Sequence, residues 1–423
     1  MKKIIQCAKA LKEYCNERNV TSLDFDDKPF ENLLQVLYPI IHKHEFYNDD
    51  LYFYAVENYF LTRINNILIT ESVIEELIEY VEAIFVTNKE KHYIVFPLQG
   101  SGLKQDINFS KFHILTQKSE EEIIRQLYGI CGKNINESKL KEFINHTKRS
   151  RSKDFLNSNI MVIEIENQTD NIKRSSYQMA QLAIDTIKLL CFANDIESSI
   201  FRLAELGQHE NKHVAIISKD LWRCGHGFSC DAHLMCKIDI DFMKNEKIQH
   251  LFCALYEKLT HKNGDELDNL FANAFSLFAR GVIHKEENSD IEVSVLLYFA
   301  ALESLFAEGF NEKRLRIASI VPRFINYEKE SISNLANVLD KLYLDRNNFL
   351  HAGRTMYFPN DNEKYNILQK IVAQVIIKWL NIDCFLPIKD GEKRINAWAR
   401  YVDSIFKDLI YGNLNDINLL TGN

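Results

Sequence analysis

The chain has 423 residues, 46% of them hydrophobic and 26% charged, a composition typical of globular proteins that excludes a largely disordered chain. Only 14 glycines and 6 prolines interrupt it, which favours long helices over an all-β fold with many turns. The net charge of -8 excludes a protein that coats nucleic acid through overall positive charge, so any polyanion site must be local.

Residues 1–85 are predicted to form a helical amino-terminal segment. Apolar side chains recur at helical spacing at Leu33, Leu37 and Ile40, and again at Val73 and Leu77. Charged residues interrupt the stretch that a signal peptide would occupy, and no later run reaches the roughly 18 apolar residues of a membrane span. The nine cysteines are an odd number scattered along the chain, which favours reduced thiols. We therefore expect a cytoplasmic protein with no membrane partner.

Residues 86–262 are predicted to form a mixed α/β segment with a sensor or regulatory role. The run Tyr93–Leu98 is short and rich in β-branched and aromatic residues, and Asn159–Glu166 is the clearest strand pattern in the chain. Further elements are predicted at Asp106–Leu115 (strand), Glu120–Cys131 and Tyr177–Ala193 (helices), and within His213–Asp241 (several strands). A small mixed sheet with flanking helices accounts for this alternation.

A small basic cluster precedes the second strong strand of this segment. It consists of Lys148, Arg149, Arg151 and Lys153 in a serine-containing turn. Four positive charges could contact phosphate, but charged loops are common on protein surfaces, so a solvated turn is the favoured interpretation.

Five candidate zinc ligands lie within thirteen residues of the same segment: Cys224, His226, Cys230, His233 and Cys236. Cysteine and histidine are the usual ligands of structural zinc. Such sites usually close through Cys-x2-Cys knuckles, which this spacing lacks, and alternate residues of a strand point to opposite faces. Buried cysteines that pack as small apolar residues are therefore the favoured interpretation, and no metal or other cofactor is expected.

Residues 263–423 are predicted to form a helical bundle. A Ser-x-x-Glu pattern at Ser289–Glu292 predicts a capping box at the start of one helix. The remaining helices are predicted at Leu267–Phe278, Glu312–Asn326, Asn360–Asn381 and Arg394–Tyr411. Glu303 lies beside the apolar face of the capped helix, where its carboxylate could reach a cation on a neighbouring helix, with Arg346 the obvious partner.

The stretch Asp340–Arg354 contains the most unusual pattern in the chain. Its apolar residues follow one helix face, and Arg346 falls inside that stripe. Tyr343, Asn347 and His351 follow one another at intervals of four and form a polar ribbon beside it. A guanidinium stays charged and is expensive to bury alone, so Arg346 requires an anion or a polar cleft.

These residues resemble the HEPN superfamily, and specifically its prokaryotic anti-phage ribonucleases. The resemblance covers about Glu266 to Ile382. It rests on a Leu-Glu pair ending at Glu303, followed by an arginine-bearing helix and by an Arg-x4-His sequence, Arg346 to His351, just before a glycine. A mixed α/β segment ahead of such a bundle is similar to ApeA-like defence proteins.

The resemblance implies a metal-independent endoribonuclease that cuts cellular RNA, such as tRNA, when a phage-derived trigger is present. His351 would act as general base or acid, Arg346 would stabilise the charged phosphate, and Asn347 would orient the ring or donate to phosphate. HEPN domains commonly pair about a two-fold axis, so a homodimer is expected. Supporting roles are expected for Glu303, Tyr343 and Asp345, and RNA contacts for Arg314, Arg316 and Arg354.

Other interpretations of the same residues stay open. Arg346 could form an ion pair with the carboxylate of Glu303 in a purely structural network, and His351 could cap the carboxy-terminal end of its helix. The bundle would then be a non-catalytic dimerisation or nucleotide-binding module. A toxin neutralised by a separate antitoxin is a further alternative, and it predicts toxicity when the protein is expressed alone.

Overall fold

The computed structural model describes the chain except at residues 19, 21, 24–26, 43–48, 65–66, 88, 99–100, 133–134, 150–157, 195, 197–213, 218–221, 226–237, 261–264, 289, 308, 326–328, 353–361, 384 and 412–423. The described residues form a mostly helical α+β protein, as the sequence predicts. Helices surround one antiparallel sheet in the amino-terminal half and dominate the carboxy-terminal half. In the described part of the chain, no helix is both long and apolar enough to cross a bilayer.

The predicted helical segment at the amino terminus is confirmed and has a hydrophobic core of its own. Its buried residues all lie between Ile4 and Val81, and they include Phe30, Leu33 and Leu77, which are fully buried. The helices are α1 (Lys2–Arg18), α2 (Lys28–Ile41), α3 (Asp49–Tyr59, continued by a π-helical turn) and α4 (Glu71–Thr87).

Six strands form the main sheet, in the order β3-β4-β5-β1-β6-β7. The strands are β1 (Lys89–Leu98), β2 (Ser101–Gly102), β3 (Ile107–Phe109), β4 (Phe112–Leu115), β5 (Asn159–Gln168), β6 (Val214–Ile217), β7 (Trp222–Gly225) and β8 (Ile238–Asp239). Among the described residues every pair within this sheet is antiparallel, and only the separate pair of β2 and β8 is parallel. The expectation of one small mixed sheet is therefore wrong.

Both faces of the central strands are buried, which explains their nearly continuous apolar sequences. On β1, Ile94 and Phe96 face one hydrophobic core, whereas Tyr93 and Val95 face another. The second core is closed by α5 (Glu120–Cys131) and α6 (Glu137–Arg149). The first core is continuous with the carboxy-terminal bundle.

Eight helices complete the described fold, and their apolar faces share that first core with the sheet. They are α7 (Thr169–Ala193), α8 (Glu246–Thr260), α9 (Glu266–Asn288), α10 (Ile291–Phe306), α11 (Lys313–Ile325), α12 (Lys329–Ala352), α13 (Asn362–Asp383) and α14 (Arg394–Tyr411). The predicted boundary at residue 263 falls between α8 and α9, so it separates two helices of one core. The start of α10 also differs from the expected capping box, because Asp290 is the N-cap and accepts from the Val293 amide at 3.0 Å.

A cluster of five charged side chains ties the ends of four elements together. Nη1 of Arg394 lies 2.7 Å from Oδ2 of Asp265 and 3.1 Å from Oδ1 of Asp268. Nη2 of Arg394 contacts the Asp383 carboxylate. Lys258 on α8 lies 2.5 Å from Asp268 and 2.8 Å from Asp383. Because Asp268 and Asp383 are almost fully buried, this pairing removes the large cost of burying a charge alone. The cluster therefore connects the sheet-packed helix α8 to the bundle.

Substituting Gly281→Ala tests the close packing of α9 on α10. A Cβ atom at residue 281 would lie 2.5 Å from Cε1 of the fully buried Tyr298, so the ring would have to move. We expect the free energy of unfolding to fall by about 1–3 kcal/mol in urea titrations. The matched control is Gly129→Ala on α5, where nothing lies within 4 Å. That exposed helical position should gain about 0.5–1 kcal/mol. Equal effects at the two positions would contradict the packing argument.

Candidate functional site

Helices α10 and α12 bring the predicted site residues together. The apolar residues of α12 include Leu339 and Leu342, which are buried in the main core, and the same stripe carries Arg346 into the seam. Glu303 lies in the last turn of α10. The predicted pairing of these two residues is confirmed, because Nη2 of Arg346 lies 3.1 Å from Oε1 of Glu303.

The Glu303 carboxylate contacts three groups at once, two through hydrogen bonds and one through an ion pair. Its Oε1 accepts from the Tyr343 hydroxyl at 2.6 Å and faces Arg346, while its Oε2 accepts from Nζ of Lys313 at 2.9 Å. The Glu303 side chain is 13% exposed, so its charge is largely removed from water. These partners compensate the cost of that burial.

Arg346 is held in a fixed orientation but stays in contact with solvent. Its Nη1 donates to Oδ1 of Asn347 at 3.0 Å, and the guanidinium carbon lies 5.0 Å from the centre of the Tyr343 ring. The side chain is 17% exposed, and its buried Nε has no hydrogen-bond partner among the described residues. Asn347 thus orients the arginine, rather than the His351 ring as the sequence suggests.

The electrostatics of this group favour an anion. Burial raises the pKa of the Tyr343 hydroxyl, and the hydrogen bond to Glu303 raises it further, so the phenol stays neutral and keeps donating. One carboxylate therefore faces two cations, Arg346 and Lys313, and the group has a surplus of one positive charge. A phosphate could bind to such a surplus through charge-assisted hydrogen bonds.

His351 lies in the last turn of α12 and is exposed. Each residue turns a helix by about 100°, so the step of five from Arg346 places the two side chains about 140° apart around the axis. Asn347 lies between them. A single copy of α12 therefore directs its arginine into the seam and its histidine into solvent.

Two exposed leucines flank this polar ribbon. Leu344 is 41% exposed. It lies three residues before Asn347 and seven residues before His351, so it shares their side of the helix. Leu350 is 46% exposed and follows Asn347 by three residues, on the other side of the ribbon. The exposed face of α12 near the site thus combines apolar and polar groups.

The arginines of α11 that were expected to contact RNA are engaged within the protein. Arg314 forms two parallel hydrogen bonds to Asp340, both of 2.7 Å. Arg316 is 4% exposed, donates to Asp403 at 2.6 Å, and lies 3.6 Å from the centre of the Phe310 ring. A buried guanidinium with these partners is a packing residue, so we leave Arg316 out of the proposed RNA contacts.

The remaining candidates do not join the site within the described residues. Asp345 is exposed on the side of α12 that faces away from the seam. Lys148 and Arg149 of the basic cluster end α6 and do not lie in the predicted turn, whereas Arg151, Lys153, Arg354 and the glycine before Arg354 lie outside the described residues. So do His226, Cys230, His233 and Cys236, whereas Cys224 lies on β7 opposite Ala215. The described residues contain no group of three or more His, Cys, Asp or Glu side chains that could hold a metal.

Lys313 is the site residue that sequence reasoning missed. Its helix carries four cationic residues around an apolar seam, a pattern typical of a solvated face. The contact with Glu303 joins residues ten positions apart across the break between α10 and α11. Periodicity within either helix does not predict it.

The chain was compared with protein-family models, with curated proteins and with solved structures, and none of them matches it. The resemblance to HEPN ribonucleases therefore depends on the residues described above.

Substituting Glu303→Gln tests whether this carboxylate holds the group together. The amide keeps the shape but leaves Arg346 and Lys313 without a counter-charge, so we expect a loss of about 1–3 kcal/mol in the free energy of unfolding. Urea titration would measure it. The control is Glu142→Gln, which removes the exposed pair with Lys139 and should change stability by less than about 0.5 kcal/mol. If both variants were equally stable, the carboxylate would not hold the site.

Proposed function

We propose that the protein is a metal-independent endoribonuclease of the HEPN type that cuts RNA in the cytoplasm. The observation that carries this proposal is the arrangement on α12. Arg346 is fixed at the edge of the seam by three neighbours, and His351 is exposed five residues later at the end of the same helix. The first group suits a phosphate and the second suits proton transfer.

RNA supplies its own nucleophile for this reaction, the 2′-hydroxyl next to each scissile phosphate. In the proposed mechanism neutral His351 removes the proton from this hydroxyl, and the 2′-oxygen attacks phosphorus. The bond from phosphorus to the 5′-oxygen then breaks, and a general acid protonates the departing oxygen. The products are a 2′,3′-cyclic phosphate and a 5′-hydroxyl, so no metal-bound water is needed as the nucleophile.

Arg346 stabilises the charge that develops on the phosphorane in this proposal. Its planar guanidinium matches two phosphate oxygens, and donors fixed before the reaction need no reorganisation during it. Asn347 and Glu303 fix the guanidinium, at 3.0 Å and 3.1 Å respectively. Tyr343 acts through Glu303 and positions the arginine without touching the substrate.

A homodimer supplies the missing general acid. One copy of α12 provides a single histidine, directed away from its own arginine, so a second copy related by a two-fold axis would complete the site. The exposed Leu344 and Leu350 beside His351 give such an interface an apolar component. In this arrangement one His351 is the base and its symmetry mate is the acid.

The biological role that we propose is anti-phage defence. The enzyme would cut tRNA or another structured cellular RNA after the amino-terminal half responds to a phage-derived trigger. The continuous core between the sheet and the bundle gives that half a physical route to α12. A toxin of a toxin–antitoxin pair would use the same chemistry, but it would arrest growth when expressed without its partner.

The second candidate function is a non-catalytic HEPN-type module for dimerisation or nucleotide binding. The ion pair between Arg346 and Glu303 favours it, because a paired arginine needs no substrate to explain its burial. The exposed His351 favours the nuclease, since it has no role in that pair. Activity measurements separate the two.

We expect the purified full-length protein to cut cellular RNA in EDTA. His351→Ala should lower kcat by about 10²-fold or more, because general acid–base catalysis is lost. Arg346→Ala should lower it by about 10²–10³-fold, because the phosphorane loses its donor. The control is His250→Ala, which removes an exposed histidine from α8 and should keep full activity. If the wild type does not cut RNA, even with an extract of phage-infected cells, the non-catalytic function is favoured.

A double substitution of Leu344 and Leu350 by Glu should abolish both dimerisation and cleavage. Placing two like-charged residues on each face would separate the subunits and remove the second histidine. Light scattering during size-exclusion chromatography should give twice the chain mass for the wild type and one chain mass for the variant. Leu68→Glu is the control, because Leu68 is 77% exposed in the amino-terminal segment. A monomeric wild type with full activity would contradict the composite site.

A further inference from the structure

The two oxygens of the Glu303 carboxylate hold cations of different accessibility. Oε1 faces the Arg346 guanidinium at 3.1 Å, and Oε2 faces the Lys313 ammonium at 2.9 Å. Arg346 is 17% exposed, whereas Lys313 is 42% exposed. Lys313 and Arg346 therefore contact the two oxygens of one carboxylate, and Lys313 is the more exposed of the two cations.

The positive charge of Lys313 is not needed to neutralise the Glu303 carboxylate in the seam. Arg346 alone neutralises Glu303, and the Tyr343 hydroxyl already donates to the shared oxygen. The Lys313 side chain is 42% exposed, and an ion pair with an exposed partner contributes little to stability, so this cation is not needed for folding. In a chain of net charge -8, a local surplus of positive charge favours contact with an anion.

We propose that Lys313 binds the phosphate adjacent to the one that Arg346 stabilises, and so positions the RNA strand in the cleft. This inference rests on the proposed nuclease function. Lysine carries a compact charge on a flexible stem and can leave Glu303 for a phosphate oxygen while Arg346 stays paired with its carboxylate. The contact holds the substrate without taking part in bond making or breaking.

A positioning role of this kind separates KM from kcat. Lys313→Gln should raise KM about 5-fold at low salt and leave kcat within about 2-fold, because the contact is equally strong in substrate and transition state. Each phosphate contact also releases counterions, so the slope of log KM against log salt should become shallower by about 0.7–1. Lys313→Arg keeps the charge and should restore most of the binding.

Binding can be measured without cleavage, with a fluorescent single-stranded RNA whose 2′-hydroxyls are methylated. Its dissociation constant should rise about 5-fold for Lys313→Gln in anisotropy titrations. The matched control is Lys139→Gln on α6. That lysine also lies 2.9 Å from a glutamate and is 40% exposed, but it does not belong to the Glu303 group. The control should bind RNA like the wild type.

The outcomes distinguish the two proposals. Suppose that the wild type cuts RNA. If Lys313→Gln then behaves like Lys139→Gln, or if Lys313→Gln lowers kcat and leaves KM unchanged, the proposed role of Lys313 is wrong and the nuclease proposal stands. If the wild type neither cuts nor binds RNA, both proposals are wrong. A thermal melt of Lys313→Gln close to that of the wild type confirms that binding is compared between folded proteins.

Discussion

The candidate site depends on one carboxylate that three helices share. Glu303 on α10 accepts hydrogen bonds from Tyr343 on α12 and Lys313 on α11 and forms an ion pair with Arg346 on α12, and its side chain is almost removed from water. Burying an unpaired arginine in an apolar seam would cost a large amount of free energy, and so would burying an unpaired carboxylate there. Because Glu303 and Arg346 neutralise each other, α12 can present a rigid guanidinium at the edge of the core and an exposed histidine beyond it.

The same principle operates where α14 begins, because Arg394 and Lys258 pair with the carboxylates of Asp265, Asp268 and Asp383. Both charge clusters lie at the border of a single hydrophobic core that extends from the sheet to α14. A change in how the sheet packs would therefore reach the bundle through α7 and α8, which contact both. The amino-terminal helices differ, because their core is separate.

Local sequence patterns predicted much of the secondary structure. The helix Glu120–Cys131 has the expected bounds, and the strand from Asn159 begins where expected but ends two residues later, at Gln168, because apolar periodicity and capping residues act over a few positions. The antiparallel order of the sheet was beyond such reasoning. Strand partners are chosen by how distant segments pack, and β1 pairs with β5 about 70 residues further along the chain.

For the site, the sequence by itself determined that Arg346 lies in an apolar stripe and that Glu303 could answer it, since helical periodicity fixes which side chains share a face. Only the tertiary structure decided which cations are accessible. It placed Arg316 among aromatic rings and Asp403, and it brought Lys313 to the open side of Glu303. These neighbouring cationic positions look alike in sequence. The residues that pack around α11 bury Arg316 and leave Lys313 partly exposed.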